Sequence, residues 1–62
     1  MRKTKAEQEK EFTDYVLLVG LKEHIEMDEG NNTYYLFRLE NGETRYWKNM
    51  SEDNLRRLKI IE

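Results

Sequence analysis

The residue pair Asn41-Gly42 constrains the fold of this chain more than any other feature, because it marks a tight turn between two strand-like runs. A type I′ turn needs positive φ at both central residues, and asparagine and glycine tolerate that conformation best. The flanking runs, residues 33–40 and 43–49, are rich in the β-branched and aromatic residues that favour strands. The sequence therefore predicts a β-hairpin built from these two runs.

A two-residue loop at Asn41-Gly42 also predicts which side chains share a face of the hairpin. Glu40 would face Glu43, and alternate residues along each strand point to opposite faces. One predicted face is mostly apolar and consists of Tyr35, Phe37, Leu39, Thr44, Tyr46 and Lys48. The other predicted face consists of Tyr34, Leu36, Arg38, Glu40, Glu43, Arg45, Trp47 and Asn49. This second face combines aromatic residues with arginines.

The segment before the hairpin has the period of a strand. Odd-numbered positions between residues 15 and 27 are apolar except for Glu23, and even-numbered positions become polar after Gly20. This alternation predicts a strand over residues 14–27, with a bulge or bend at Gly20. The alternative is a longer N-terminal helix that uses apolar residues at helical spacing, namely Phe12, Tyr15, Val16 and Val19. The run Tyr-Val-Leu-Leu-Val at residues 15–19 favours the strand.

Both ends of the chain carry helix signals. Thr4, with Glu7 three residues later, forms a capping box. Residues 1–12 are therefore predicted to form a short charged helix or, because apolar residues are nearly absent there, a tail. Ser51 is the predicted N-cap of a second helix over residues 51–59, which has acidic residues in its first turn and basic residues in its last.

The second helix also supplies apolar residues that the sheet needs. Met50 and Leu55 hold the positions of a hydrophobic staple. Leu55, Leu58 and Ile61 lie along one side of the helix, where they would cover the apolar sheet face. Residues 59–62 either continue this helix or form a short final strand.

These elements predict one small α+β domain over residues 1–62. A turn at residues 28–32 connects the first strand to the hairpin, which gives a three-stranded antiparallel β-meander. The C-terminal helix packs on one face of this sheet, and a short helix precedes it at the N-terminus.

Composition excludes several classes of protein. The chain has 62 residues and no cysteine, so neither disulfides nor thiolate metal sites stabilise it. Its net charge is −2, whereas nucleic-acid-binding domains typically carry an excess of basic residues. The near-apolar run of residues 15–21 is too short to span a bilayer, and the first residues lack the apolar segment of a signal peptide. We expect a cytoplasmic protein that does not bind membranes.

The sequence contains no recognisable catalytic or metal-binding motif. His24 is the only histidine, and its neighbours along the predicted strand are charged, so we expect it to be an ordinary surface residue. The segment Asp28-x-Gly30-x-Asn32 lacks the alternating oxygen ligands and the downstream glutamate of a calcium loop. We therefore predict no enzymatic activity, no cofactor and no metal site.

The second predicted face of the hairpin is the strongest candidate for function. Tryptophan, tyrosine and arginine are enriched at the hot spots of protein interfaces. We therefore predict a non-enzymatic protein-interaction module whose binding residues are Tyr34, Leu36, Arg38, Arg45 and Trp47. A secondary acidic surface, predicted as a charged rim or second contact, consists of Glu23, Glu26, Asp28 and Glu29.

Three alternatives use the same predicted face. In the first, the N-terminal helix folds over the aromatic residues, which then form a second small core. In the second, another copy of the chain covers them in a structural homodimer. In the third, which the net charge disfavours, nucleic-acid bases stack on the aromatic residues, with Arg38, Arg45 and Lys48 near phosphates.

The order of elements resembles that of chromo-like and other small SH3-like modules: strand, turn, Asn-Gly hairpin with a tryptophan in its second arm, then a capped C-terminal helix. In chromodomains an aromatic cage holds methylated lysine, and Trp47 and Tyr15 hold loosely comparable places here. The chain is also similar in style to small proteins of bacteriophages and mobile elements, because it is short, rich in lysine and glutamate and free of cysteine. Many such proteins inhibit a host enzyme, which implies an inhibitor or modulator of a larger host protein.

Overall fold

The computed structural model describes residues 2–62 as a helix, a three-stranded sheet and a second helix. The elements are α1 (Lys5–Val19), β1 (Leu21–Glu29), β2 (Asn32–Leu39), β3 (Thr44–Lys48) and α2 (Glu52–Arg57). The strands form one antiparallel sheet in the order β1-β2-β3. The predicted α+β meander is therefore confirmed. Met1, within the predicted segment 1–12, lies outside the described residues.

Helix α1 is longer than predicted and takes up the first half of the predicted strand. Phe12 and Val16 lie one turn apart on the helix and are both buried in the core. Tyr15 and Val19 pack against the same core. Helical spacing places these apolar side chains on one side of α1, and their burial against the sheet outweighs a strand preference that depends strongly on context. The prediction of a strand over 14–27 is thus wrong for residues 14–19.

Gly20 ends α1 instead of bending a strand. Its backbone has φ of 103°, and its N–H donates to the carbonyl of Val16 at 2.8 Å. A Cβ atom at this position would lie only 2.9 Å from the Cγ of Glu40. Both the backbone angle and the close contact therefore favour glycine. The pairing irregularity predicted near this point lies slightly later, between Leu21 and Glu23 of β1.

Both predicted helix starts are present. Thr4 is the N-cap of α1, and its Oγ1 accepts a hydrogen bond from the Glu7 N–H at 3.1 Å. Ser51 is the N-cap of α2, and the staple residues Met50 and Leu55 are both buried in the core. The Ser51 side chain, however, does not cap its own helix.

Helix α2 stops earlier than the predicted end at residue 59. It ends at Arg57, and Lys59 adopts a left-handed conformation with φ of 62°. The Lys59 N–H donates to the carbonyl of Arg56 and the Ile60 N–H to that of Leu55, as in a helix C-terminal turn. Residues 59–62 are therefore neither helix nor strand.

The hairpin between β2 and β3 closes with three loop residues instead of two. The carbonyl of Leu39 accepts from the Gly42 N–H at 3.0 Å, and the Leu39 N–H donates to the carbonyl of Glu43 at 2.9 Å. Gly42 has φ of 92°. This is the pattern of a type I turn followed by a glycine bulge. Tyr35 consequently pairs with Trp47, not with Lys48.

The predicted hairpin register is therefore wrong by one residue. Because strand side chains alternate, this slip moves every β3 side chain to the face opposite the one predicted. Trp47 and Arg45 lie on the face of β2 that carries Tyr35 and Phe37. That face is covered by the helices, and the buried apolar residues between them are Phe12, Val16, Tyr35, Phe37, Leu39, Met50, Leu55 and Leu58.

Candidate interaction surface

The structure divides the five predicted binding residues between the two faces of the sheet. Tyr34, Leu36 and Arg38 lie on the uncovered face. Arg45 and Trp47 lie on the face that α1 covers. The prediction that all five share one face is wrong because it depended on the two-residue loop. A role in binding stays a prediction for each residue.

Trp47 belongs to the packing of α1 on the sheet. Its ring stacks on Phe12, with 4.8 Å between the ring centroids and 21° between the ring planes. Its Nε1 donates to Glu9 Oε1 at 3.1 Å. The Arg45 guanidinium lies 5.7 Å from the centroid of Phe12 and 5.3 Å from that of Tyr15. The N-terminal helix does fold over Trp47, as one alternative predicted, but Trp47 packs against the main core and not in a second small core. The chain's own Arg45 occupies the space beside the rings of Phe12 and Tyr15.

Glu9 joins three elements through one buried carboxylate. Only 6% of the residue is exposed. Besides Trp47, its donors are Ser51, through both N–H (3.0 Å) and Oγ (2.7 Å), and Asn54 Nδ2 (2.7 Å). Burial raises the pKa of Glu9, but the hydrogen bonds from Ser51, Asn54 and Trp47 outweigh it, so the pKa lies below the usual glutamate range. Glu9 thus caps α2 from another helix and holds β3 beside α1.

Sequence reasoning missed Glu9, although the sequence contains a signal for it. If α1 continues past residue 12, Glu9 lies one turn before Thr13 and two turns before Val16, on the side that becomes buried. A carboxylate on a buried helix face needs several donors. Because the helix was predicted to end at residue 12, Thr13 and Val16 were not placed on the same helix as Glu9.

The hairpin tip is also bound to α1. The Tyr15 hydroxyl donates to a Glu43 carboxylate oxygen, which also accepts from Asn41 Nδ2 at 2.6 Å. The hydrogen bond from Tyr15 is the main reason why the pKa of Glu43 lies below its ordinary value. These contacts fix the loop against the helix.

The uncovered side of the sheet carries a continuous apolar surface. Ile25, Leu36 and Tyr46 lie side by side across the three strands, and Met27 and Tyr34 form part of the next row. The exposed fractions are 43% for Ile25, 47% for Met27 and 68% for Tyr46. We call these five residues the open face. Ile25, Met27 and Tyr46 were not among the predicted binding residues, and the register slip explains why Tyr46 was missed.

The charged groups around the open face are few. Arg38 Nε lies 3.2 Å from Glu23 Oε1 at one end of the face. Lys48 pairs with Tyr34 at the other end. Because Arg45 lies on the opposite face, the predicted cluster of Arg38, Arg45 and Lys48 is wrong. The open face therefore has an apolar centre, with the Glu23–Arg38 ion pair, Glu29 and Lys48 beside it.

The predicted acidic surface follows β1 but divides between its two sides. Glu26 and Asp28 are on the side of Tyr35, whereas Glu23 and Glu29 are on the side of the open face. Residues 22–29 are all exposed, including His24. Burial raises the pKa of Tyr35, and the nearby carboxylate of Glu26 raises it further.

Comparison with protein-family models, with curated proteins and with solved structures finds no match for this chain. Among residues 2–62, no three histidine, cysteine, aspartate or glutamate side chains lie close enough together to hold a metal ion. Within the same residues, no helix has both the length and the apolar character needed to cross a bilayer.

Proposed function

We propose that this chain is a non-enzymatic protein-interaction module that binds a larger protein through its open face. The observation that carries the proposal is the row Ile25, Leu36 and Tyr46, which runs across the whole sheet without a helix over it. Contiguous exposed apolar surface of this kind is typical of interaction sites.

The open face has the composition of an interface core. Burial of apolar surface contributes about 25 cal/mol per Å², so covering partly exposed isoleucine, methionine and tyrosine side chains favours association. Tyr34 and Tyr46 add rigid rings with polar ends, which suit contacts that are apolar in the middle and wet at the rim. The Glu23–Arg38 pair at 3.2 Å and Lys48 would form such a rim.

The charges favour a protein over a nucleic acid as the partner. Arg38 is paired with Glu23, which leaves Lys48 as the basic group of the open face without a salt bridge among the described residues. Binding to a phosphate backbone depends on several such cations. Occupation of a partner's surface is also how so small a chain would inhibit or modulate a host protein, and the lack of cysteine is compatible with a cytoplasmic partner.

The test is partner capture by the wild-type chain and two matched variants. Tyr46→Ala removes an exposed side chain from the open face, whereas Leu18→Ala removes one from α1, where Leu18 is 84% exposed. Both variants should keep the circular dichroism spectrum of the wild type. We expect nuclease-treated lysate to yield a protein that the wild type and Leu18→Ala retain and Tyr46→Ala loses.

Three outcomes would contradict the proposal. Equal capture by wild type and Tyr46→Ala would show that the open face is not used. Capture that disappears with nuclease would favour nucleic acid. A sedimentation coefficient that rises with concentration for wild type, but not for Tyr46→Ala, would assign the face to a second copy of the chain.

A further inference from the structure

Strand β1 is an edge of the sheet along its entire length. It has nine residues, β2 is its only neighbour within residues 2–62, and residues 22–29 are all exposed. Among the described residues, neither α1 nor α2 covers its outer side. A long and uncovered edge, regular after the irregularity between Leu21 and Glu23, presents backbone donors and acceptors to any extended chain that reaches it.

The β1–β2 turn determines which backbone groups are free. Glu29 pairs with Asn32 across the two-residue turn Gly30-Asn31, where Gly30 has φ of 62°. In such a hairpin the flanking residues exchange both hydrogen bonds, and hydrogen-bonded pairs then alternate along the ladder. Ile25 and Met27 therefore bond to β2. The alternate residues, whose N–H and carbonyl groups point to the free edge, are His24, Glu26 and Asp28.

The two sides of this edge differ in chemistry. Ile25 and Met27 are on the side of the open face, so an added strand would extend that apolar surface. Glu26 and Asp28 are on the other side and are both exposed. A strand added to β1 would thus place alternate side chains beside apolar groups and beside carboxylates.

We propose that the edge of β1 binds an extended segment of the partner in which basic and apolar residues alternate. Basic side chains of that segment lie beside Glu26 and Asp28, and apolar side chains lie beside Ile25 and Met27. This inference rests on the proposed protein-binding function and adds the kind of segment that the partner supplies. Backbone pairing provides affinity, and the alternating side chains provide specificity.

The acidic side of β1 also disfavours pairing of the strand with a second copy of itself. Two β1 strands side by side would bring Glu26 and Asp28 of each copy together, and like charges on neighbouring strands are destabilising. Charged residues on edge strands are a general protection against self-pairing. The same charges favour a basic segment over an acidic one.

The experiment measures backbone amide exchange in the intact, isotopically labelled protein by NMR. The probe is a peptide with blocked ends and the sequence Lys-Val-Lys-Val-Lys-Val-Lys. We expect the outward amides of His24, Glu26 and Asp28 to exchange fast in the free protein and to become protected when the peptide binds. The inward amides of Ile25 and Met27 should be protected in both states.

Two control peptides separate strand addition from simple charge attraction. Lys-Lys-Lys-Lys-Val-Val-Val has the same composition without alternation, and an N-methylated form of the alternating peptide cannot pair its backbone. We expect neither to protect the three outward amides. Protection by the block peptide, or undiminished binding of the N-methylated one, would overturn the proposal.

Charge reversal tests the acidic side of the edge. Glu26→Lys combined with Asp28→Lys should weaken binding of the alternating peptide about tenfold at low salt, because two attractive contacts become repulsive. The control variant, Glu11→Lys combined with Glu62→Lys, has the same net charge, but both substitutions lie away from β1. It should bind the alternating peptide like the wild type. Equal affinity in both double variants would contradict the proposal.

The amide signals also separate this inference from the proposed function. Peptide-induced changes confined to Leu36 and Tyr46 would leave the open face as a binding surface and overturn the role of the β1 edge. Protection of the edge amides with normal partner capture by Tyr46→Ala would support the edge and contradict the open-face proposal.

Discussion

At the scale of single residues, the fold depends on a carboxylate that sequence patterns did not mark. Glu9 accepts hydrogen bonds from Trp47, Ser51 and Asn54, so one side chain connects α1 to β3 and to the start of α2. Helix α2 has only six residues and is too short to be stable alone. Its position therefore depends on Glu9 and on the buried leucines of its apolar side.

Replacement of Glu9 by glutamine should destabilise the protein by about 1–3 kcal/mol, because hydrogen bonds to a charged acceptor are lost and an amide group is placed among donors. Urea unfolding followed by circular dichroism measures this change. The control is Glu11→Gln on the same helix, where the exposed side chain forms a salt bridge with Lys3. Equal stability of the two variants would contradict the role of Glu9.

Stability should also fall in acid. Burial raises the pKa of Glu9, but the hydrogen bonds from Ser51, Asn54 and Trp47 outweigh that effect, so its pKa is lowered overall. The pKa of Asp14 is also lowered, chiefly by the hydrogen bond from Arg57. A lowered folded-state pKa means that the unfolded chain binds protons first as the pH drops. The stabilisation is therefore complete above the unfolded value, about 4.3 for glutamate, and is lost as the pH falls through the folded value.

Unfolding free energies measured from pH 7 to pH 2.5 test this dependence. We expect a decline below about pH 5 for the wild type and a shallower decline for Glu9→Gln, which lacks one of the responsible carboxylates. A stability profile that is flat, or that rises in acid, would be inconsistent with these pKa shifts.

Gly20 is the position where a single methyl group should matter most. Alanine there meets both a φ of 103° and the Glu40 Cγ at 2.9 Å. Gly42 has a similar φ of 92°, but nothing lies within 4 Å of a Cβ at that position. We expect Gly20→Ala to cost about 2 kcal/mol or more and Gly42→Ala about 1 kcal/mol. If urea unfolding gave the same loss of stability for both variants, the Glu40 side chain would be able to move away from the added methyl group at no cost.

At the scale of elements, the sequence predicted the kinds of element better than their boundaries. The Asn41-Gly42 signal located the hairpin correctly, but this pair fits both a two-residue type I′ loop and a three-residue loop with a glycine bulge. The stacking of Trp47 on Phe12 and the hydrogen bond of Trp47 to Glu9 favour the three-residue loop, and both contacts lie outside the hairpin. Tertiary packing therefore determined the register, and the register determined the faces.

The boundary between α1 and β1 shows the same limit. The residues Tyr-Val-Leu-Leu-Val at 15–19 have high strand propensity, but they also continue the helical spacing of Phe12 and Val16. Strand propensity largely reflects the packing that a strand finds, so it is weak where a helix buries the same residues. Gly20, which looked like a strand bend, was in fact the helix end. The predicted site failed because the register error placed Arg45 and Trp47 on the wrong face of the sheet.

Adjacent residues of β3 provide a direct test of the register. Trp47 packs on Phe12 and bonds to Glu9, whereas Tyr46 is 68% exposed on the open face. Trp47→Ala should therefore cost about 3 kcal/mol or more, and Tyr46→Ala less than about 1 kcal/mol. Urea unfolding of the two variants measures both values. A larger loss of stability for Tyr46→Ala than for Trp47→Ala would support the register of the two-residue loop instead.

At the scale of the whole molecule, the chain buries one face of its sheet and leaves the other uncovered. Both helices contribute to the covered side, where Phe37 and Val16 are fully buried. Among residues 2–62, α1 and α2 are the only helices, and neither lies on the opposite side. Small domains are marginally stable because they bury a small part of their surface. A partner on the open face would therefore stabilise the fold as well as be bound by it.

Replacement of Ile25, Met27 and Tyr46 by threonine tests this division between stability and binding. Threonine favours strands and removes apolar surface, so the isolated triple variant should differ from wild type by less than about 1 kcal/mol. Val16→Thr, on the covered side, should cost about 2 kcal/mol or more, because it places a polar hydroxyl in the apolar core. The captured partner should raise the thermal midpoint of wild type and leave that of the triple variant unchanged, since only binding to the folded state stabilises it.

A wild-type midpoint that rises with its own concentration, and a triple-variant midpoint that does not, would mean that the open face binds another copy of the chain. If the triple variant were instead as unstable as Val16→Thr, the open face would contribute to folding, and its exposed side chains would need no partner to explain them.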